Sequence, residues 1–319
     1  MVESLIQLKK LSVLKCKAME QIVTKAVGED GRLKNIISFP KLESLELQHL
    51  PKLKRFCEGD CIEFPSLSKL IIWACYELRT FIPSSHESTV TLLRAIEERE
   101  LEAQQTLFNE KVVATKLTNL GVWKCHGLIS LFNSSTATSL AQLTRVFIGK
   151  CNQMTQVIHV NDQMEDESAA ESEIVFSLLK ILALHHLPNL KCFHSGNNKL
   201  QFPNLEKINL GACPEMRSFS HGTINTPNLD RLIIAELDRR LEFYVLDWFF
   251  INQEEAKPIE ELWEGDLNRS IRKLWDDSYI ALQWIFSEIV DDHNSKEDTA
   301  GHDQKIQHNK ENAASSSSK

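Results

Sequence analysis

The sequence predicts an α/β solenoid, a horseshoe of about eight short coils with one parallel sheet along its concave side. The main observation is an apolar template, Leu-x-x-Leu-x-Leu-x-x-Leu-x-x-Leu-x-x-Phe, which begins at Leu42 and recurs along the chain. Its spacing fits neither the alternation of one strand nor the period of one long helix. The copies follow one another at about 25 residues, which is the length of one supersecondary unit.

Eight segments carry this template, and the first and last copies are the weakest. They begin at Leu8, Leu42, Leu67, Leu117, Leu143, Leu179, Leu205 and Leu229. Four of the intervals between starts are 24–26 residues long, and the three longer ones imply insertions. The length and the pattern together are the signature of leucine-rich repeats.

The template also predicts how each coil is built. Alternate residues of a strand point to opposite sides, so two apolar residues of each copy face inward. The residues between them face outward, onto the predicted concave face. No coil can bury its apolar side alone, so stability must come from stacking. We expect the chain to return on the convex side through loops or short helical turns.

Cysteine occupies one position of the template five times, and leucine takes the same position in other copies. A residue type that interchanges with leucine is a small buried group rather than a ligand. The N-terminus has no secretory signal, so reduced thiols are the expected state. The five cysteines are Cys16, Cys75, Cys125, Cys151 and Cys213.

A Phe-Pro pair precedes the strand leucine in three copies, at Phe39, Phe64 and Phe202, and Thr226 with Pro227 replaces it in a fourth. Proline restricts the backbone and lacks an N–H donor, which suits the approach to a strand from a loop. We expect the phenylalanines to fill the space between neighbouring coils.

Residues 1–245 form the predicted solenoid, and two of its three insertions have a distinct composition. Residues 89–106 carry apolar residues at helical spacing among Glu and Arg, which predicts a helical insertion. Residues 162–173 are acidic and contain serine, which predicts a loop. The chain begins almost inside a repeat, which predicts a piece of a longer protein or a truncated gene product.

Residues 246–290 lose the repeat and are rich in Trp and Phe, so they predict a C-terminal cap on the open end of the array. Within this cap, a helix is expected to begin at Asp266 or Asn268. Its buried side would carry Ile271 and either Leu274 or Trp275. Residues 291–319 almost lack apolar side chains and are predicted to be disordered.

Composition excludes several classes of protein. The formal net charge is −8, with 36 Lys and Arg against 44 Asp and Glu, so the chain lacks the basic field that nucleic-acid binding requires. No apolar run reaches the ~18 residues of a membrane span. We therefore expect a cytoplasmic protein.

No enzyme motif is present. The sequence has no G-x-S-x-G, no H-E-x-x-H and no paired C-x-x-C. Cys57 and Cys61 have a plausible ligand spacing but lack a second pair. The sequence therefore predicts neither a catalytic nor a cofactor site.

A metal site formed by residues 185–194 is the weaker of two interpretations. His185, His186, Cys192 and His194 lie close together in the sequence. The alternative is that both members of the pair His185 and His186 occupy exposed concave positions, while Cys192 and His194 flank an apolar residue. We favour this alternative and predict no metal site.

The template also identifies a candidate partner surface on the concave face. Three neighbouring copies place large apolar side chains there with cations beside them, which is the composition of a binding hot spot. Alternatively, the inserted helix folds over the aromatic residues, and both arrangements hold if a partner displaces that helix. The candidate residues are Ile71, Trp73, Trp123, Lys124, Arg145, Phe147 and Lys150.

Several motifs resemble one family. The repeated cysteine, the "FP-x-L" turns, "LxxLP-L-K-F", "ACPEMRSFSHG", "FNEKVV" and "WEGDLNRSI" resemble the C-terminal repeats of plant coiled-coil, nucleotide-binding, leucine-rich-repeat disease-resistance proteins. The resemblance covers roughly residues 1–280. The chain departs from the family because it has no G-x-x-x-x-G-K-[ST] phosphate-binding loop and no coiled-coil domain.

The resemblance implies a sensing module without its nucleotide switch. The expected partners are a pathogen effector, a guarded host protein or the nucleotide-binding domain of a receptor. The alternative is a scaffold or substrate-recognition subunit, for example of a ubiquitin ligase. That alternative should bring an adaptor-binding helical motif before the repeats, and the sequence shows none.

Overall fold

Three layers of short parallel strands build the chain, which is described here from a computed structural model. The described residues are 6–23, 36–58, 61–83, 105–160, 173–235 and 258–276. In these ranges, no helix is long and apolar enough to cross a membrane.

Most of the regular elements are strands of two to five residues. In chain order the strands are β1 (Lys10–Leu14), β2 (Gln21–Val23), β3 (Ile36–Ser38), β4 (Ser44–Gln48), β5 (Arg55–Cys57), β6 (Cys61–Glu63), β7 (Lys69–Trp73), β8 (Thr106–Phe108), β9 (Val112–Val113), β10 (Asn119–Trp123), β11 (Ser130–Asn133), β12 (Arg145–Gly149), β13 (Gln156–His159), β14 (Glu173–Val175), β15 (Ile181–His185), β16 (Cys192–His194), β17 (Lys199–Gln201), β18 (Lys207–Gly211), β19 (Ile224–Asn225), β20 (Leu232–Ala235) and β21 (Pro258–Leu262). The described helices are α1 (Ser134–Ser139) and α2 (Leu267–Asp276).

The main sheet confirms the predicted array of eight repeats. Its order is β1-β4-β7-β10-β12-β15-β18-β20-β21, and the first eight strands pair in parallel without a register shift. Each parallel strand begins near the second leucine of one template copy. The inward pairs, such as Leu45 with Leu47 and Leu120 with Val122, are fully buried.

The return path of the chain differs from the sequence prediction of loops and helical turns. It consists largely of two further layers of short parallel strands. The second layer contains β2-β5 and β8-β11-β13-β16, and the third contains β3-β6-β9 and β14-β17-β19. The segments are three or four residues long in most cases, and each needs only one or two inward apolar residues, such as Ile62 or Leu200, to pack on the core.

Phenylalanine rings fill the space between coils, as predicted. Phe39 stacks on Phe64 at 5.4 Å between ring centroids, and Phe176 stacks on Phe202 at 5.3 Å. The last residue of the template adds a second column, in which Phe193 stacks on Phe219 at 4.6 Å. Aromatic pairs of this kind add about 0.5–1.5 kcal/mol beyond their buried area.

A left-handed residue follows seven of the main strands. These residues have φ between 49° and 57°, and none of them is glycine. In six of the seven coils their backbone N–H donates to the carbonyl of the last residue of the next strand, at 2.8–3.0 Å. The turn therefore continues the hydrogen-bond ladder between coils. The seven residues are Lys15, His49, Ala74, Lys124, Lys150, His186 and Ala212.

The repeated cysteines are buried structural groups, as predicted, except that Cys16 in the first coil is half-buried. In all five, the thiol donates to the carbonyl two residues earlier, at 3.3–3.6 Å. Burial raises the pKa of Cys75 to about 12, so this thiol stays protonated. All eight cysteines of the chain are free thiols in the structure.

Hydroxyl and amide side chains form ladders between successive coils. Thr118 Oγ1 donates to the Ser68 carbonyl at 2.8 Å, and Thr144 Oγ1 donates to the Thr118 carbonyl at 2.9 Å. At the Phe-Pro turns, Asn228 Nδ2 donates to the Pro203 carbonyl at 2.7 Å. These bonds add to the backbone ladder between coils, because the Ser68 and Thr118 carbonyls also accept from backbone N–H groups of the next coil.

An antiparallel strand and a helix follow the eight parallel strands at the other end of the described array. Strand β21 pairs antiparallel with β20 and is the last strand of the main sheet in the described residues. Helix α2 begins after Asp266, whose Oδ1 accepts from Arg269 N at 2.8 Å, and it buries Ile271 and Leu274 as predicted. The side chain of Asn268 then pairs the backbone of the second layer: its Oδ1 accepts from Phe219 N at 2.7 Å.

Other predicted segments fall mainly outside the described residues. The structure describes only the last two residues of the predicted helical insertion 89–106, and Thr106 already belongs to β8. Of the predicted loop 162–173, only Glu173 is described, and it begins β14. Of the predicted cap 246–290, residues 258–276 are described. The tail 291–319 lies outside, so these boundaries stay predictions.

The left-handed residues allow a test of the turn. Non-glycine residues in this conformation cost about 1–2 kcal/mol each. We expect His49→Gly to raise the free energy of unfolding by about 0.5–1 kcal/mol, after the added entropy of the unfolded chain is subtracted. Urea denaturation would measure this change in the free energy of unfolding. The matched control is Lys52→Gly, at an exposed turn residue without positive φ, which should lower the free energy instead. A loss of stability in both variants would contradict the prediction.

Candidate functional site

The predicted partner residues come together on the outer face of the main sheet, which is the predicted concave face. Strands β7, β10 and β12 are neighbours in register. Trp73 therefore lies beside Trp123, and the latter lies beside Gly149. Phe147 lies two residues before Gly149 on β12. The parallel register thus brings residues from three repeats into one apolar cluster.

Gly149 makes room for the indole of Trp123. A methyl group at position 149 would overlap this ring. The indole can therefore lie across β12, where it stacks on Phe147 with 5.2 Å between centroids and 11° between planes. Lys150 Nζ lies 6.0 Å from the Trp123 ring centroid, within the range of a cation–π contact.

The apolar members of the site are buried. Trp123 and Phe147 are 0% exposed, and Trp73 is 8% exposed. With Ile71, Ala74, Ile181 and Ala183 they form a second apolar cluster, separate from the core between the layers. Other parts of the same chain bury these side chains. The interpretation in which the aromatic residues are covered within the protein requires such burial. The role of these residues in binding stays a prediction.

Cations border the aromatic cluster. Arg145 opens β12, Lys124 and Lys150 follow β10 and β12, and all three side chains are half-buried. The outer positions of the eight parallel strands also carry Lys10, Lys69 and Lys207, and one acidic residue, Glu46, which lies within 4 Å of the first two lysines. Along these eight strands the outer face therefore carries more cations than anions, although the chain as a whole carries a net charge of −8.

His185 corrects one sequence prediction. It was expected at an exposed concave position, but at the end of β15 it is only 2% exposed. Its ring centroid lies 6.1 Å from that of Phe147. His185 therefore extends the row of aromatic side chains formed by Trp73, Trp123 and Phe147, here called the aromatic row, to a fourth strand. Burial, and to a lesser extent the charge of His186, lowers the pKa of His185 to about 3, so the ring is neutral at physiological pH.

Two polar atoms of this buried row make no hydrogen bond. In the part of the chain that the structure describes, Trp123 Nε1 and His185 Nδ1 lack a hydrogen-bond partner. A buried polar group without a partner costs about 1–3 kcal/mol. These atoms are therefore groups that a bound molecule could satisfy, Trp123 Nε1 as a donor and His185 Nδ1 as a donor or an acceptor.

The structure does not bring together the four residues that were considered as a possible metal site. His185 lies on the outer face of the main sheet, whereas Cys192 and His194 lie in β16 of the second layer. His194 is buried, and its ring nitrogens contact the Ile158 carbonyl at 3.3 Å and Asn198 Oδ1 at 3.0 Å. Among residues with a described position, no group of three His, Cys, Asp or Glu side chains could hold a metal ion.

Sequence reasoning missed two residues of the site. Gly149 was not singled out, because a glycine at the end of a strand carries no signal without knowledge of which ring lies over it. The burial of His185 was missed because the template assigns every alternate residue to the exposed face. A pattern of inward and outward residues does not report which outward residues are covered.

The fold and this surface together define a leucine-rich-repeat protein. The family model described as "Plant disease resistance protein RPS2-like, leucine-rich repeats" matches residues 1–102 and 90–236. The matched ranges cover more than half of the chain, and the protein belongs to this family. No solved structure matches it significantly. Membership indicates a recognition role in plant immunity, and the repeats of this family are typically non-catalytic.

The buried His185 predicts a pH dependence of stability. Its pKa is about 3 in the folded chain against 6.5 when exposed, so the unfolded chain binds the proton first as the pH falls. The contribution of His185 is therefore complete above pH 6.5 and is lost below it, by about 2 kcal/mol at pH 5. Urea denaturation at pH 7.5 and pH 5 should show this loss in the wild type and a smaller one in His185→Gln. Equal losses would contradict the burial.

The contact between Gly149 and Trp123 predicts a second result. We expect Gly149→Ala to displace the indole, lower the free energy of unfolding by about 1–3 kcal/mol and shift the tryptophan emission to longer wavelength. The control is the same substitution in a Trp123→Ala background, where the added methyl group meets no ring and should cost less. An equal cost in both backgrounds would show that the indole does not lie over position 149.

Proposed function

We propose that the chain is a non-catalytic recognition module of plant innate immunity. It binds a pathogen effector, a guarded host protein or the nucleotide-binding domain of a receptor through the outer face of the main sheet. The observation that carries this proposal is the aromatic row of Trp73, Trp123 and Phe147, with cations on both sides. Aromatic residues and arginine are the residue types that dominate binding energy at protein interfaces.

The chemistry of the row suggests the kind of partner surface. Stacked rings accept an apolar anchor, and Arg145 and Lys150 favour acidic side chains around that anchor. An oxygen atom of the same partner could accept the hydrogen bond of Trp123 Nε1. Because the rings are buried, the half-buried cations would be contacted first, and full engagement would require the chain to uncover the rings.

A cytoplasmic location fits this role. All eight cysteines are free thiols, and unpaired cysteines are typical of reducing compartments. In the family that the sequence resembles, the repeat region works together with a nucleotide-binding switch. We propose that the immune output of this chain also depends on such a switch, in the same or in another polypeptide.

The test compares proteins captured by the full chain from plant tissue. The face variant is Arg145→Glu with Lys150→Glu, which leaves the buried rings in place. The control variant is Lys116→Glu with Lys191→Glu, which makes the same charge change at exposed positions away from this face. Circular dichroism would verify that both variants fold.

We expect the wild type and the control variant to capture the same partner in equal amounts. The face variant should capture at least tenfold less of it. A receptor nucleotide-binding domain or a pathogen effector as that partner would support the proposal. Ubiquitin-ligase adaptors would overturn it in favour of the scaffold role. Equal capture by both variants would show that the partner binds elsewhere on the chain.

A further inference from the structure

Three strands of the outer face carry a buried polar atom that makes no hydrogen bond in the described part of the chain. Besides Trp123 Nε1 on β10 and His185 Nδ1 on β15, the third is Oδ1 of Asn209, in the middle of β18. The residues before and after Asn209 are buried in the core, so its side chain belongs to the outer face. Trp123 and His185 are 0% and 2% exposed, so water does not satisfy these two groups.

The register of β15 and β18 places small residues between two of these polar groups. Ala183 lies beside Asn209, and His185 lies beside Gly211. His185 and Asn209 are therefore diagonal neighbours, with Cα atoms about 8 Å apart for ordinary strand spacing and rise. Their two polar atoms do not bond to each other. A group placed over Ala183 and Gly211 would lie between both of them.

The types of the three polar atoms indicate what such a group must offer. The Asn209 oxygen can only accept, so the ligand must donate a hydrogen bond there. Trp123 Nε1 can only donate, and the neutral ring of His185 can do either. A trans peptide group carries its N–H and its C=O on opposite sides, so a peptide main chain offers both types. A phosphate or carboxylate group alone offers acceptors and would meet the Asn209 oxygen with repulsion.

The spacing of these atoms favours an extended main chain. Strands β10, β12, β15 and β18 are successive neighbours in the main sheet, so β10 and β18 lie about 14 Å apart. Four to five residues of extended chain cover this distance, at about 3.3 Å per residue. In a folded domain most main-chain groups are already paired in helices and sheets. A linear segment is therefore the form of protein that can supply them.

Charge on the outer face indicates the composition of this segment. The outer positions of these four strands carry two cations, Arg145 and Lys207, and no acidic residue. Lys124 and Lys150 follow β10 and β12 at the opposite border. A chain that crosses the strands runs between these two borders, over Phe147. Acidic side chains on both sides of an apolar one would therefore complement this surface.

We propose, building on the function proposed above, that the outer face from β10 to β18 binds an extended acidic segment of the partner protein. The segment lies across the strands, and its main chain pairs with Trp123 Nε1, His185 Nδ1 and Asn209 Oδ1. It makes its first contacts over β18, where Lys207 and Asn209 are half-buried. Binding then satisfies polar groups that the chain by itself leaves without a partner.

The test selects peptides that bind the purified full chain. The probe is a phage-displayed library of random peptides that are long enough to cross four strands. We expect enriched sequences to carry Asp or Glu on both sides of an apolar residue. An enriched peptide would then be synthesised with a fluorescent label, and its affinity for the chain would be measured by fluorescence anisotropy.

A variant of the acceptor separates binding from a structural role. Asn209→Leu keeps a similar volume but removes the oxygen, and it should weaken peptide binding by about five- to tenfold. The same change should not lower the free energy of unfolding, because this oxygen makes no bond in the chain. The matched control is Asn225→Leu, at an exposed position of the third layer, which should bind the peptide like the wild type.

Two results would overturn the inference. Peptide binding that Asn209→Leu leaves unchanged would show that the peptide binds elsewhere. A library without enriched peptides would show that the face does not recognise linear segments. In that second case, capture of a folded partner that depends on Arg145 and Lys150 would leave the proposed function standing. The absence of any such capture would contradict the proposed function as well.

Discussion

The hydrogen-bond ladder between successive coils is the constraint on which this structure depends. Each coil is too thin to bury its own apolar side, so every strand of the main sheet relies on its neighbours. A left-handed residue after six of the strands extends the ladder into the turn, as His49 N does toward the Trp73 carbonyl. The strands of the second and third layers also depend on neighbouring coils, and Phe39 of one coil stacks on Phe64 of the next. Register is therefore fixed all around the coil.

That fixed register also creates the candidate site. Because β7, β10 and β12 pair without a shift, outward residues of three repeats stand side by side. Trp123 can lean across β12 only because residue 149 is a glycine. The row of rings is thus a property of the array and belongs to no single repeat. The surface beside the rings is positively charged because Arg145 and Lys150 occupy the neighbouring positions.

Much of the fold could be predicted from the sequence, because the repeated template shows the length of one coil and the residues of each coil that face inward. The eight main strands, the buried cysteines and the helix after Asp266 follow from local patterns. The strands of the second and third layers did not, since segments as short as β6 hold too few residues to show alternation. In the site, the sequence indicated which residues face outward. It could not indicate that Trp123, Phe147 and His185 are covered, since covering depends on contacts distant in the chain.

The left-handed turn has a consequence for how this surface can evolve. The turn is formed by backbone atoms, and lysine, histidine and alanine all occupy it in this chain. Selection can therefore exchange these side chains without rebuilding a coil, and they line one border of the outer face. Proteins built from such repeats could in this way change the side chains along that border while the scaffold stays unchanged. Gly149 is under the opposite pressure, because almost any substitution there would move the ring above it.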